Sequence, residues 1–179
     1  MAIPEDAMDF TAGVSIRPTG PEDLPGLMAL WNDGVVMRGV GFPEGLGYDA
    51  EDMAAWWRAL AADPDRHHSV VRSGEGDFCG EACYRVERRA RRAALDIKLC
   101  SWAQGLGVAT IALGMPVGVV SADEPGVDAV WVEPSPANLA ARRLYERCGL
   151  RPRPRPEDLP PGDSYWELRR DREAADGTG

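Results

Sequence analysis

Gly105 and Gly107 stand two apart in Gln104-Gly105-Leu106-Gly107-Val108-Ala109-Thr110, between the apolar run of residues 94–100 and the apolar Ile111-Ala112-Leu113. A strand that runs into a glycine-bearing turn and then a helix start can cradle a phosphate. Glycine lets the backbone approach a ligand closely, and the first helical turn carries amide N–H groups with no intrahelical partner. Two rival cradles fail on residue identity. A Walker-type loop needs Gly-Lys-Ser/Thr, but Val108-Ala109 follows Gly107. A dinucleotide fingerprint needs a third small residue where this chain has Thr110, and it belongs in the first strand–helix unit, not past the midpoint.

A second segment places a phenol. Residues 138–150 read as a helix: counting from Ala137 just before it, Ala141, Leu144 and Cys148 follow at i+4, i+7 and i+11, and Gly149 supplies the stop. Tyr145 lies one turn beyond Ala141, at the edge of that stripe. The β-rich run of residues 127–132 precedes the helix and ends at Glu133-Pro134-Ser135-Pro136.

The loop has the form Q/R-x-x-G-x-G/A, with Gln104, Gly107 and Ala109 at the marked positions, and the helix has the form N-x-x-A-x-x-L-Y-x-x-x-G from Asn138. Their order and their separation of about 30 residues resemble the GNAT superfamily of N-acetyltransferases. The opening "PEDL…LWND" is similar to the aminoglycoside 6′-N-acetyltransferases and the ribosomal-protein N-terminal acetyltransferases. The resemblance implies one domain over residues 13–170, an α/β (α+β) fold. Its mixed, mostly antiparallel central sheet would be splayed in the middle and flanked by helices. It implies acetyl-CoA as acyl donor and no metal. Coenzyme contacts would come from Leu99, Cys100, Gln104, Gly105, Leu106, Gly107, Val108, Ala109, Thr110, Asn138 and Tyr145. Tyr145 would protonate the departing thiolate, and Asp96 or, second, Glu81 would serve as base, with a base acting only through water as the third choice. An N–H of the splayed strand near Leu99 or Cys100 would meet the oxyanion.

The acceptor implied is a primary amine attacking directly in a ternary complex: an aminoglycoside-like or other cationic small molecule, or a protein amino group. In family members the acceptor pocket lies near Trp56, Trp57 and the acids Glu44, Asp49, Glu51 and Asp52. The alternative is a catalytically silent acyl-CoA-binding regulatory module. A homodimer is left open.

Composition sets limits. The chain has 179 residues, a formal net charge of −9, 44% hydrophobic and 27% charged residues. That is a globular composition of ordinary domain size. The acidic balance disfavours nucleic acid and anionic membrane as partners and attracts a cationic amine at a distance. No apolar run approaches the ~20 residues of a membrane span. The acidic N-terminus lacks the features of a secretory signal, so a cytoplasmic location is expected. Cys79 and Cys83 fall within one expected strand, on the same face by alternation, without a second ligand pair for zinc. Lys98 is the only lysine, and Arg88-Arg89-Ala90-Arg91-Arg92 reads as a solvated hairpin tip.

The expected element order is β-α-α-β-β-β, then loop and helix, then β-α-β. Asp49 is expected to cap the second helix, and adjacent His67 and His68 to point to opposite strand faces. Gly114, Pro116 and Gly118 predict a short helix after the glycine loop, a kink at Met115-Pro116, or a rearrangement before Asp123, since proline inside a helix costs about 3 kcal/mol. Residues 1–12 and 171–179 are expected to be mobile tails.

Overall fold

Alternating apolar residues form seven strands in one sheet, ordered β1-β2-β3-β4-β5-β7-β6 in the computed structural model, which describes residues 13–124 and 126–170. The expected tails lie outside the described residues. The strands are β1 (Ser15–Pro18), β2 (Arg66–Arg72), β3 (Phe78–Glu87), β4 (Arg92–Leu99), β5 (Ala129–Val132), β6 (Arg151–Pro152) and β7 (Trp166–Arg169). Only β4 and β5 run parallel; every other neighbouring pair is antiparallel. The helices are α1 (Leu24–Asn32), α2 (Gly34–Met37), α3 (Ala50–Ala62), α4 (Val108–Asp123) and α5 (Leu139–Arg147). The mixed, mostly antiparallel α/β fold is as expected. The short α2 and the two-residue β6 are additions to the expected order.

The apolar stripe of α1 buries Leu27, Leu30 and Trp31 in a cluster with Met37, Met53 and Val70. Asp49 caps α3 as its spacing predicts, accepting from the amides of Glu51 and Asp52, while Asp52 accepts in return from the Asp49 amide. On the opposite face of the sheet, Val108 and Ala112 of α4 pack on Val71, Ala82 and Leu99.

Two expectations need correction. Helix α4 is not short: it is helical from Val108 to Asp123, through Pro116. The proline removes a donor, but Val108, Ala112 and Leu113 are completely buried. Burying a Val or Leu side chain contributes about 1.5–3 kcal/mol, which offsets the proline's cost. Cys79 and Cys83, moreover, are on opposite faces. The β2–β3 register slips between Val71 and Arg72, so an extra residue sits at Cys79. Cys79 therefore packs with Ala82 beneath α4, whereas Cys83 faces the cavity on the other side with Glu81. Gly80 permits the bulge, because at its φ of +150° a Cβ would stand 2.1 Å from the Lys98 carbonyl oxygen.

The arginine tip is pinned to the domain. Arg88 pairs with Asp65 and Arg91 with Asp128, and Arg92 is buried between Glu87 and Asp158. No helix among the described residues is long and apolar enough to cross a membrane.

Candidate active site

The splay arises where two parallel strands part. β4 pairs with β5 only through Arg92, Ala93 and Ala94, opposite Ala129, Val130 and Trp131. Beyond Ala94, β4 continues to Leu99 bonded to β3 alone. The wedge left open is a cleft of about 610 Å³, with β4 and the glycine loop on one side and residues 131–135 and α5 on the other.

The polarity of the β4 edge follows from alternation. The Cys100 amide donates to the Cys79 carbonyl at 2.8 Å, so it faces β3. Successive peptide groups on a strand alternate in direction, which turns the N–H and C=O of Leu99 toward the cleft. The side chain of Gln104 confirms that direction, since its Nε2 donates to the Leu99 carbonyl at 3.0 Å. The Leu99 amide is left as a donor at the cleft edge. Cys100 is thereby corrected as an oxyanion donor: its amide is bonded to β3, and its thiol lies 3.5 Å from the Phe78 carbonyl.

The glycine loop keeps its amides free. Gly105 and Gly107 have φ of +78° and +84°, where a side chain would be strained. Gly107 caps α4, and among the described residues the amides of Gly105 to Ala109 have no hydrogen-bond partner; Thr110 donates to the Gly107 carbonyl. This unpartnered array at the N-terminal end of a 16-residue helix fits a coenzyme diphosphate. Gln104, Gly105 and Ala109 line the cleft, whereas Leu106, Val108 and Thr110 turn their side chains elsewhere and can offer only backbone. Across the wedge, Asn138 caps α5 by accepting from the Ala141 amide at 3.1 Å. Tyr145 projects from the same helix and is buried. Burial, then the negative charge of Asp96, pushes its hydroxyl well above the usual phenol range, so it stays protonated.

A second cavity of about 350 Å³ opens on the other side of β4, walled by Trp31, Tyr48 and Trp56. Asp96 and Lys98 line both cavities, and so stand between them. Lys98 Nζ bonds to Asp96 and, at 3.0 Å, to Oε1 of Glu81. Glu81 is 1% exposed. Its Oε2 accepts from Trp31 Nε1 at 2.9 Å and contacts His68 Nε2 at 3.0 Å, while His68 Nδ1 meets the Thr19 hydroxyl at 2.7 Å. Burial alone would raise the Glu81 pKa, but the bonds and charges of His68 and Lys98 prevail and hold it down to about 2. The surrounding carboxylates in turn raise the pKa of Lys98 against its own burial.

The two base candidates therefore differ in access. Asp96 reaches the junction of the cavities, whereas Glu81 is enclosed by three donors. His68 and His67 do face opposite ways, His67 stacking on Tyr84 at 4.4 Å. Trp56 lines the second cavity, but Trp57 lies outside it, and Glu44, Asp49, Glu51 and Asp52 are exposed beyond it. Sequence reasoning missed Lys98, the Leu99 amide as the single donor, Arg66, and the segment from Val36 to Tyr48 that borders both cavities.

Several solved structures share this outline. Spermidine N-acetyltransferase from Vibrio cholerae, in complex with CoA and spermine, superposes with a TM-score of 0.75 at 17% identity, over 88% of this chain and 96% of that one. Aminoglycoside acetyltransferase AAC(6')-Ib, in complex with ribostamycin and coenzyme A, gives 0.74 at 22% identity, over 92% and 99%. A domain from Methanocaldococcus jannaschii DSM 2661 gives 0.71 at 12%, over 87% and 97%. At these identities the likeness establishes the fold. No curated protein sequence matches the chain. The family profile for an acetyltransferase (GNAT) domain matches residues 14–151, and the chain belongs to that family of N-acetyltransferases.

Proposed function

We propose that this enzyme transfers an acetyl group from acetyl-CoA to a primary amine by direct attack within a ternary complex. The observation that carries this reading is the meeting of two cavities at Asp96, one of them bordered by free loop amides, the Leu99 N–H and Tyr145. The coenzyme supplies an activated thioester carbonyl. The amides of Gly105 to Ala109 hold its diphosphate, and Asn138, Gln104 and Leu99 border the path between loop and wedge.

An alkylammonium must lose a proton before it can attack. Asp96 is the group placed to draw the ammonium from the second cavity and accept that proton, directly or through a water. Glu81 acts at one remove: held ionised, it fixes Lys98, and Lys98 fixes Asp96. The Leu99 N–H is aimed where charge develops on the carbonyl oxygen. Tyr145 donates a hydrogen bond to the departing sulfur. A thiol near pKa ~8.5 is more acidic than a buried tyrosine, so Tyr145 stabilises the thiolate chiefly as a donor, with full transfer uphill. The acidic chain attracts the amine at a distance, and a cytoplasmic setting accords with this chemistry.

The test is thiol release from acetyl-CoA with a panel of amines: an aminoglycoside, a polyamine, an ω-amino acid and a short peptide. Amine-dependent release is expected. Coenzyme binding without release for any amine would favour the regulatory-module alternative. Reaction of peptides alone would exclude the small-molecule acceptors.

A further inference from the structure

The charge lining the acceptor cavity specifies more than "an amine". Four ionic side chains face this cavity: Glu81, Asp96, Lys98 and Arg66. Lys98 bonds to both Glu81 and Asp96. Arg66 stands apart, its guanidinium 5.7 Å from the centroid of the Trp56 ring. The acids beside it in sequence are engaged elsewhere, Asp63 with Arg85 at 3.0 Å and Asp65 with Arg88 at 2.5 Å. Among the described residues Arg66 has no carboxylate partner. The four charges sum to zero, and once Asp96 receives one ammonium the cavity lining offers no net negative charge for the second and third ammonium groups of a polycation.

The sheet fixes where Arg66 lies relative to the chemistry. Asp96 stands opposite Cys83, and Cys83 opposite His68, so the three share one rung. Arg66 is two residues from His68 along β2, hence on the same face. Two strand spacings across the sheet and two residues along β2 separate Asp96 from Arg66, which sets the two backbone positions about 12 Å apart.

Resting on acetyl transfer to a primary amine as the reaction, we propose that the acceptor is a zwitterion: an amine carrying a carboxylate about 10–12 Å from its nitrogen, with an apolar spacer between. Arg66 receives the carboxylate with its planar donor fork, the rings of Trp31, Tyr48 and Trp56 cover the spacer, and the amine lies at Asp96.

The test is calorimetric binding of three matched amines to the coenzyme A-saturated protein: 8-aminooctanoate, 8-aminooctanamide and 1,8-diaminooctane. The carboxylate is expected to bind about tenfold more tightly than the amide, as a charge-assisted bond implies, with the diamine weakest. Arg66→Met should remove the advantage of the carboxylate and leave amide binding within about twofold, since a neutral ligand forms no such bond. A diamine that binds as tightly as the carboxylate, or an Arg66→Met variant that weakens all three alike, would overturn the proposal. Because this readout is binding, it is decided separately from turnover. Bound amine with no thiol release would sink acetyl transfer instead.

Discussion

Lys98→Met tests the electrostatic frame of the site, because it removes the one ammonium between two carboxylates. Glu81 is completely enclosed, and the gap between its ordinary 4.5 and about 2 in the folded chain corresponds to about 3 kcal/mol of stability. The folded value lies below the unfolded one, so the unfolded chain binds more protons between pH 2 and 4.5. This contribution is therefore present above about pH 4.5 and lost as pH falls toward about 2. Without Lys98, His68 is left to oppose burial, so the Glu81 pKa rises back toward its ordinary value and this pH-dependent contribution shrinks. Removing one partner of a buried pair typically costs 3–5 kcal/mol. Urea unfolding of the variant should therefore show a deficit of about 4 kcal/mol at pH 7, shrinking to about 1 kcal/mol near pH 3. The double variant with Glu81→Gln should lose most of that pH dependence. A deficit under about 1 kcal/mol at pH 7, or one that does not change with pH, would mean that Lys98 is not what keeps Glu81 ionised.

Tyr145→Phe should lower kcat by about tenfold to a hundredfold, in or just below the range for acid–base groups, with the dissociation constant for acetyl-CoA unchanged; full activity would mean that water alone meets the thiolate. Asp96→Asn should depress kcat/KM most at low pH, where the amine is most fully protonated, and a wild-type pH profile would remove Asp96 from the chemistry. Asn138→Ala removes the cap of α5 and should cost about 1 kcal/mol, lowering Tm by about 2–4 °C, as read by scanning calorimetry.

Much of the frame was legible because it is encoded locally. The Asp49 cap, the helix that begins at Asn138 and the opposed faces of His67 and His68 each depend on neighbours within a turn or a strand. What was missed depends on register and tertiary context. Closing the β3–β4 hairpin at Glu87 and Arg92 sets Glu81 opposite Lys98, six residues back on each strand. That pairing follows from counting back from the arginine tip, but only once the hairpin register is known. The bulge at Cys79 is different. It comes from the slip between β2 and β3 at Gly80, which sequence alternation cannot register, and it inverted the predicted face of Cys79. Of the three alternatives for α4, the short helix failed because the cost of Pro116 is local whereas the burial of Val108, Ala112 and Leu113 is not. Of the expected acceptor region, Trp56 lines the second cavity, whereas Asp49 and Asp52 cap α3; the rest of that lining comes from α1, the strands β2 to β4 and the segment before α3, which local patterning does not bring together.

A calorimetric titration of the protein with acetyl-CoA, run beside Gly107→Val, probes the coenzyme cleft itself. Saturable one-to-one binding is expected, weakened about tenfold in the variant by forcing a branched residue into a left-handed conformation at the loop. Absence of any binding heat at millimolar acetyl-CoA would overturn the reading of this cleft as a coenzyme site.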